Sequence, residues 1–433
     1  MTMTIERAAG SPPNTPHSMR RATAVILSIA LAMRLLVLWS VIANYPPTWL
    51  FTRGMEMGWL AKSILDGQGL ASPFGVPTGP SAFVAPGYPI LIAGVFRVFG
   101  SYTLASAVVI ICAQIALNLV TIWLMMWVGR RLFDQRVAIV AGLVWACSLP
   151  LIWIPTIFWD TSLAICLMVG LLALVLHFSG KNTWFIWIFL GAYCAMTALI
   201  NPAMILVLAA MLGWLAWRLR KAQPYGIILA SLTFCAVFAP WPLRNAKVFH
   251  SFIPLRTTVG FELWMGNRPG ATGYLDESLF PSFNPAELSD YRSRGELGYT
   301  AHKSELAKQY ILDNPVSFVR LTGRRIVRYW LGTGSEKGSS IFALHAALTF
   351  GFGVAGLWML FRARRFDTAI LFALPLLVFP VPYYITHAEF RYRLALDPLL
   401  TILAAYAVDR LYRRIQAHPQ PVASLDSDEA VHG

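Results

Sequence analysis

Two acidic residues sit where an apolar chain has little use for a carboxylate. Glu56 lies in Arg53-Gly54-Met55-Glu56-Met57-Gly58-Trp59-Leu60-Ala61-Lys62-Ser63-Ile64-Leu65. There Met57, Leu60, Ala61, Ile64 and Leu65 recur at helical spacing, which predicts a short amphipathic helix lying on a membrane and stopped by Gly67 and Gly69. Asp160 occupies Trp159-Asp160-Thr161, a very short turn between two apolar runs, close after Pro150 and Pro155. Each acid has an ordinary explanation if it stands alone: Glu56 complements a helix dipole and Asp160 caps a helix. A carboxylate at membrane depth, however, is costly and marks a polar cavity, where it can take a proton from an attacking hydroxyl.

Cations suited to the complementary task recur in the same kinds of gap. Arg244 follows Pro240-Trp241-Pro242-Leu243 directly, and Arg320, Arg324, Arg325 and Arg328 form a cluster. A third group lies in His387-Ala388-Glu389-Phe390-Arg391-Tyr392-Arg393. Guanidinium groups bind phosphate in a two-pronged manner, which makes a lipid phosphate the natural partner of Arg244, Arg391 and Arg393. The 320–328 cluster fits specific phosphate binding and simple snorkelling to phospholipid headgroups equally well. Arg34, inside the first apolar run, has no reading from sequence.

The elements that must position these groups follow from composition. Of 433 residues 57% are hydrophobic and only 13% are charged, too little polar surface for a water-soluble chain. This predicts an all-α polytopic membrane protein. The formal net charge of +14 comes in short Arg/Lys clusters beside apolar runs, so lipid and the positive-inside rule account for it, and nucleic acid is not implied. Cys112, Cys147, Cys166, Cys194 and Cys235 all fall inside apolar stretches without ligand spacing and read as small core residues.

About ten runs are long and apolar enough to span, near 22–43, 104–128, 137–156, 161–178, 183–200, 203–218, 225–242, 340–361, 368–385 and 394–411. Basic residues follow every second run: Arg130 and Arg131 with Arg136, then Lys181, then Arg218, Arg220 and Lys221, then Arg362, Arg364 and Arg365, then Arg410, Arg413 and Arg414. These gaps belong in the cytoplasm, and the alternate gaps, which hold the acids, belong outside. The run from Pro86 to Phe99 is too short to span and reads as an interfacial helix. The expected organisation is a cytoplasmic tail (1–21), a transmembrane module (22–243) with a first external loop (44–103), an external, loop-rich cap (244–339), C-terminal transmembrane helices (340–411) and a disordered cytoplasmic tail (412–433).

At this point the residues carry a resemblance. The order of elements is similar to that of the GT-C superfamily of polyprenyl-phosphate-sugar-dependent glycosyltransferases, in particular the bacterial protein O-mannosyltransferase and lipid A aminoarabinose transferase families. The features are Leu65-Asp66-Gly67-Gln68-Gly69 ending the first loop, Ala85-Pro86-Gly87-Tyr88-Pro89 opening the interfacial helix, Phe158-Trp159-Asp160, and the His387–Arg393 turn. The resemblance covers nearly the whole chain and implies a GT-C-like bundle of about ten helices in the inner (plasma) membrane, with Glu56 and Asp160 lining a catalytic cavity that faces the periplasm or exterior. One departure is that many relatives carry an Asp-Glu pair beginning a few residues before the position of Glu56, where this chain has Arg53.

The activity so implied is transfer of a sugar from a polyprenyl-phosphate-linked donor to a protein, lipid or polysaccharide acceptor. Glu56, alone or with Asp160, is then the expected general base, Arg244, Arg391 and Arg393 hold the phosphate, and a single displacement inverts the anomeric centre. His387, Glu389, Tyr88, Glu262 and Asn267 are further candidates for substrate contact. Some relatives bind a divalent metal in this cavity. Glu56 and Asp160 suit Mg2+ or Mn2+, and His387 leaves Zn2+ open. A secondary transporter or lipid flippase is the alternative reading, but the paired, interrupted repeats it calls for are not found. A non-catalytic scaffold predicts no gathering of acids on one side. Topology is open to direct test: in a cysteine-free background, cysteines placed at Gly67 and Asn284 are expected to react with impermeant thiol reagents from outside and those at Asp134 and Ala363 are not. Labelling of Asn284 only from the cytoplasm would overturn the assignment.

Overall fold

The computed structural model describes residues 16–52, 54–179, 183–221, 225–332 and 339–417, so Arg53, Lys181 and most of both expected tails lie outside the described residues. Among the described residues the chain is helical throughout, with one isolated bridge between Ala71 and Pro80. Helices are the natural solution for apolar runs in lipid, because they satisfy every backbone donor and acceptor internally. Large apolar side chains such as Trp39, Leu232, Leu344 and Leu377 are exposed on the outer faces of the bundle, as a lipid-facing surface requires. Cys194 is buried, but Cys112, Cys147 and Cys235 stand on exposed faces, so those three are lipid-side residues and not core ones.

Each of the ten expected runs falls on helix. Among the described residues six helices are long and apolar enough to span, and two bent pairs pass the same test when each is taken as one span, Gln135–Cys147 with Leu149–Thr156 at 61° and Gly226–Phe238 with Pro240–Phe249 at 43°. The other two runs are the 16-residue Phe185–Ile200 helix and the Asp397–Ala417 helix, which do not meet the same test of length and composition. The run from Pro86 forms the separate Gly87–Phe99 helix. Where helices pass closely, small residues sit at the crossing: a Cβ at Gly356 would strike the Leu403 carbonyl, and one at Gly191 the Ala230 carbonyl.

The first bent pair explains Arg34. Pro150 has no N–H, so the Ala146 carbonyl four residues earlier loses its usual helical donor. Arg34, fully buried, donates to the Ala146 oxygen at 3.2 Å and to Asn118 Oδ1 at 3.0 Å, and Trp145 Nε1 shares that amide oxygen at 3.0 Å. The first span thus stitches together a break in the third.

The basic clusters near 130–136, 362–365 and 410–414 meet at one end of the bundle. Arg365 donates to the Leu132 carbonyl at 2.5 Å, and Arg413 pairs with Asp134. At the other end a cap covers the bundle. It is more helical than the sequence suggested, comprising Val259–Gly266, Pro285–Asp313 with a break at Gly295, and Pro315–Leu331, and the Pro285 end is capped by Asn284, whose Oδ1 accepts from the Ala286 amide at 3.0 Å. Buried Glu296 anchors the cap to the first loop: Oε1 accepts from the Ala82 amide at 2.7 Å and the Thr257 hydroxyl at 2.8 Å, and Oε2 from Tyr291 at 2.7 Å.

Loss of the Arg34 guanidinium leaves the Ala146 carbonyl and the Asn118 amide short of donors. Arg34→Leu is expected to destabilise the protein by about 1 to 3 kcal/mol, read as a lower thermal midpoint in detergent. An unchanged midpoint would mean that the break needs no donor from the first span.

Candidate active site

The gaps without basic clusters converge on one cleft of about 1020 Å³ of empty space, part of it open to solvent. Glu56 and Met57 come from the first loop, Trp159 and Asp160 from the turn after the bent third span, Asn201 from the next gap, Arg256 and Glu262 from the start of the cap, and His387, Arg391 and Tyr392 from the turn before the last helix. Five separate stretches of sequence therefore supply its polar groups.

Local structure fixes the two acids. Gly54 caps the Met55–Leu65 helix in the left-handed region (φ 94°), and a Cβ there would collide with the Phe158 carbonyl, so this glycine lets the Glu56 helix start against the chain leading to Asp160. That chain is tied from the bundle by Gln114, whose Nε2 donates to the Ile157 carbonyl at 3.0 Å. Asp160 precedes the Thr161–Phe178 helix but its side chain makes no capping bond; Oδ2 accepts instead from Asn201 Nδ2 at 2.9 Å. The simple capping explanation of Asp160 is therefore not realised. Burial raises the pKa of its carboxyl above the ordinary value, against the opposing effects of Arg391, the Asn201 amide and Arg256.

Arg391 stacks on Trp159, its guanidinium carbon 3.4 Å from the ring centroid, and Trp159 Nε1 points at Glu56 Oε2 at 3.5 Å. It also pairs with Glu389. Burial opposes its charge, but the Glu389 carboxylate together with Tyr392 and Glu56 outweighs this and drives its pKa up. Arg256 faces Glu262 at 3.4 Å, and the other oxygen of that carboxylate lies 3.4 Å from His387 Nδ1. Desolvation again opposes the Arg256 charge, and Glu262 together with Tyr383, Tyr392 and Asp160 more than restores it. His387 Nε2 shares a 2.9 Å hydrogen bond with the Tyr392 hydroxyl.

Of the residues expected from sequence, Glu56, Asp160, Arg391, His387 and Glu262 line the cleft and Glu389 braces Arg391. Arg244, Arg393, Tyr88 and Asn267 do not line it. Arg244 lies within the Pro240–Phe249 helix, and its donors are taken by the carbonyls of Ser81 at 2.9 Å and Leu70 at 2.8 Å, so it clasps the first loop. Arg393 is fully buried between Asp397 Oδ1 at 3.0 Å and the Thr349 hydroxyl at 2.5 Å, with His345 bonding the other Asp397 oxygen at 3.0 Å. Tyr88 is buried against the first-loop helices. Asn267 donates to the carbonyls of Leu263 and Ile385. Arg256, Asn201 and Tyr392 belong to the cleft without having been singled out as site residues. Asn201-Pro202 breaking two apolar runs and a lone cation in Pro254-Leu255-Arg256 were the available signals.

Any ion held at Glu56 and Asp160 would have to complete its coordination with water or substrate phosphate. Among the described residues no group of three or more His, Cys, Asp or Glu side chains is placed to hold one.

Burial holds the His387 pKa below its ordinary value of 6.5, against the pull of Glu262 and Glu389. The folded state thus favours the neutral ring, and stability present above about pH 6.5 is lost as pH falls through the lowered folded pKa, since the unfolded chain takes up the proton first. Thermal midpoints measured from pH 7 down to about 5 should fall more steeply for the native protein than for His387→Gln. Parallel curves would remove His387 from the linkage.

Comparison with known proteins agrees with this architecture. Residues 83–241 match the family model for dolichyl-phosphate-mannose-protein mannosyltransferase. No curated protein matches the chain in sequence. Among solved structures, the Archaeoglobus fulgidus oligosaccharyltransferase in complex with Zn and sulfate is similar with a TM-score of 0.55 at 14% identity, over 92% of this chain and 50% of that one. The AglB oligosaccharyltransferase of the same organism, in complex with an inhibitory peptide and a dolichol-phosphate, gives 0.51 at 14%, over 93% of this chain and 52% of that one. This chain thus spans about half the length of those relatives. ArnT from Cupriavidus metallidurans bound to undecaprenyl phosphate is also matched, at 15% identity over 94% of this chain and 81% of that one, but its TM-score of 0.36 is too low to bear on the fold. With its apolar helical bundle and a capped polar cleft at one end, the chain is an all-α polytopic membrane protein whose fold is similar to that of the Archaeoglobus oligosaccharyltransferase, and its residues 83–241 resemble the dolichyl-phosphate-mannose-protein mannosyltransferase family.

Proposed function

We propose that this protein transfers a glycosyl group from a polyprenyl-phosphate-linked donor to an acceptor hydroxyl on the external face of the membrane. The observation that carries the reading is the pairing, within one cleft at the capped end, of two carboxylates with two guanidinium groups drawn from four different gaps. The carboxylates suit the hydroxyl and the guanidiniums suit a phosphate leaving group. The relatives' names, which include dolichyl phosphate in the family model and dolichol-phosphate in a solved complex, point to the same donor class.

In this mechanism Glu56 takes the acceptor proton as the hydroxyl oxygen attacks the anomeric carbon. The bond from that carbon to the phosphate oxygen breaks on the opposite face, inverting the centre, and the departing phosphate carries the electron pair. Arg391 and Arg256 meet the growing negative charge. Arg391 is held rigid between Trp159 and Glu389, and Arg256 is held by Glu262, so little rearrangement is needed when the charge develops. Asp160, less readily ionised and bonded to Asn201, orients the acceptor or shares the proton. Arg244 and Arg393 act at a distance, the one by clasping the first loop and the other by anchoring the turn that carries Arg391. The orientation agrees with the sequence, since the basic end of the bundle would face the cytoplasm.

Purified protein offered a panel of polyprenyl-phosphate sugars is expected to release or transfer sugar from at least one. Glu56→Gln should lower turnover by roughly 10² to 10⁴-fold with donor binding near normal, because the amide keeps the shape but cannot take the proton. Arg391→Lys keeps the charge but loses the fork and should weaken donor binding by roughly 1.5 to 3 kcal/mol. Full transfer by Glu56→Gln would dismiss it as base, and lipid movement without sugar transfer would favour a flippase.

A further inference from the structure

The four arginines of the 320–328 cluster separate into two kinds once folded. Arg325 is completely buried and donates to the carbonyls of Tyr384 and Ile385, each at 3.1 Å, and to Asn267 Oδ1 at 2.8 Å. Arg328 bonds the Thr272 carbonyl and packs over Tyr274 at 3.4 Å. Both hold the cap together. Arg320 and Arg324 are exposed, and among the described residues neither makes an ion pair or a side-chain hydrogen bond.

What stands beside those two arginines is not ordinary protein surface. On the same Pro315–Leu331 helix Val316 is 72% exposed, Val319 69% and Val327 50%, with Ile326 also exposed. At 3.6 residues per turn these four fall on one stripe with Gly323, and Arg320 and Arg324 run along one edge of it. Leu321, Arg325 and Tyr329 occupy the opposite, buried face. A helix that is apolar on two faces is covered on both. The inner face is covered by the cap and the end of the Val381–Ile385 helix, and the outer face is covered by nothing among the described residues.

Its neighbours identify the missing cover. Trp330, at the end of the helix, stacks on Phe350 of the spanning Ser339–Arg362 helix with ring centroids 4.8 Å apart, and its Nε1 donates to the Tyr384 hydroxyl at 2.7 Å. That spanning helix exposes Ile341, Leu344 and Leu348 along its outer side. An exposed valine stripe thus runs beside a lipid-facing span, with two cations at its border. We propose that the Pro315–Leu331 helix docks on the bilayer itself, its valine stripe entering the leaflet nearest the cleft and Arg320 and Arg324 binding the phosphates of anionic phospholipids. The cap is then fastened to the membrane on one side and to the first loop, through Glu296, on the other.

The test uses the full chain in nanodiscs of phosphatidylcholine with phosphatidylglycerol. An environment-sensitive fluorophore is placed at Val319→Cys, or separately at Val327→Cys, in a cysteine-free background, and at Ser293→Cys on the exposed part of the cap as a reference. At both stripe positions the probe should be quenched by doxyl-labelled lipid and protected from iodide, while the reference shows the reverse. Two positions guard against a local effect of either substitution. When the doxyl group is carried on phosphatidylglycerol, quenching should exceed that by labelled phosphatidylcholine, and this preference should fall roughly fivefold for each arginine removed in Arg320→Gln and Arg324→Gln. Iodide quenching at both stripe positions would overturn the proposal, as would shielding from both quenchers, which would mean that a protein partner covers the face. Unchanged preference for phosphatidylglycerol in the double variant would overturn the role of the arginines.

Discussion

A guanidinium group taken out of water must be given partners that do not leave, and this requirement organises the molecule from one end to the other. Arg34 in the bundle, Arg325 in the cap and Arg393 at the base of the last helix are all fully buried, and each is bound to a carbonyl, an amide or a hydroxyl from a distant segment. Because a buried cation without partners costs several kcal/mol, each of these residues forces remote pieces of chain together. Arg34 mends the break at Pro150, Arg325 binds the cap to the end of the Val381–Ile385 helix, and Arg393 sets the turn that presents Arg391. The cleft is what remains between parts held in this way.

Within the cleft the same physics has a different outcome. Arg391 and Arg256 are each balanced by a carboxylate, yet both line open space, and Trp159 stands between Arg391 and Glu56. The indole contacts the cation through its face and the acid through its N–H, so it keeps the two charges adjacent without a direct ion pair. A base and a cation poised for an anionic leaving group are held apart until substrate fills the space between them.

The cap and first loop form one rim because Glu296 and Arg244 reach across the chain to the same stretch of backbone, Ser81 and Ala82. Loops that form a binding cleft are ordinarily mobile, and here a buried carboxylate and a half-buried guanidinium replace the missing secondary structure. Docking of the Pro315–Leu331 helix on lipid would give the same rim a third support.

The amino-acid sequence by itself determined the class of fold, the positions of the helices and the sorting of gaps into a basic set and an acidic set, because apolar length and Arg/Lys placement are local quantities. That sorting also brought Glu56, Asp160 and Arg391 onto one side before any coordinates. What tertiary structure alone decided is which cations face the cleft. Arg244, Arg393 and Arg391 look equivalent in the sequence, since all three sit close to a span in an acid-bearing gap. Their roles diverge because the donors of Arg244 meet carbonyls from far away in the chain and those of Arg393 meet the Thr349 hydroxyl of a distant helix and the Asp397 carboxylate four residues on, whereas Arg391 rests on an indole ring and keeps a face toward the open space. Arg256 and Asn201 went unassigned for the same reason, as the value of a polar side chain at a span end depends on what the fold sets opposite it.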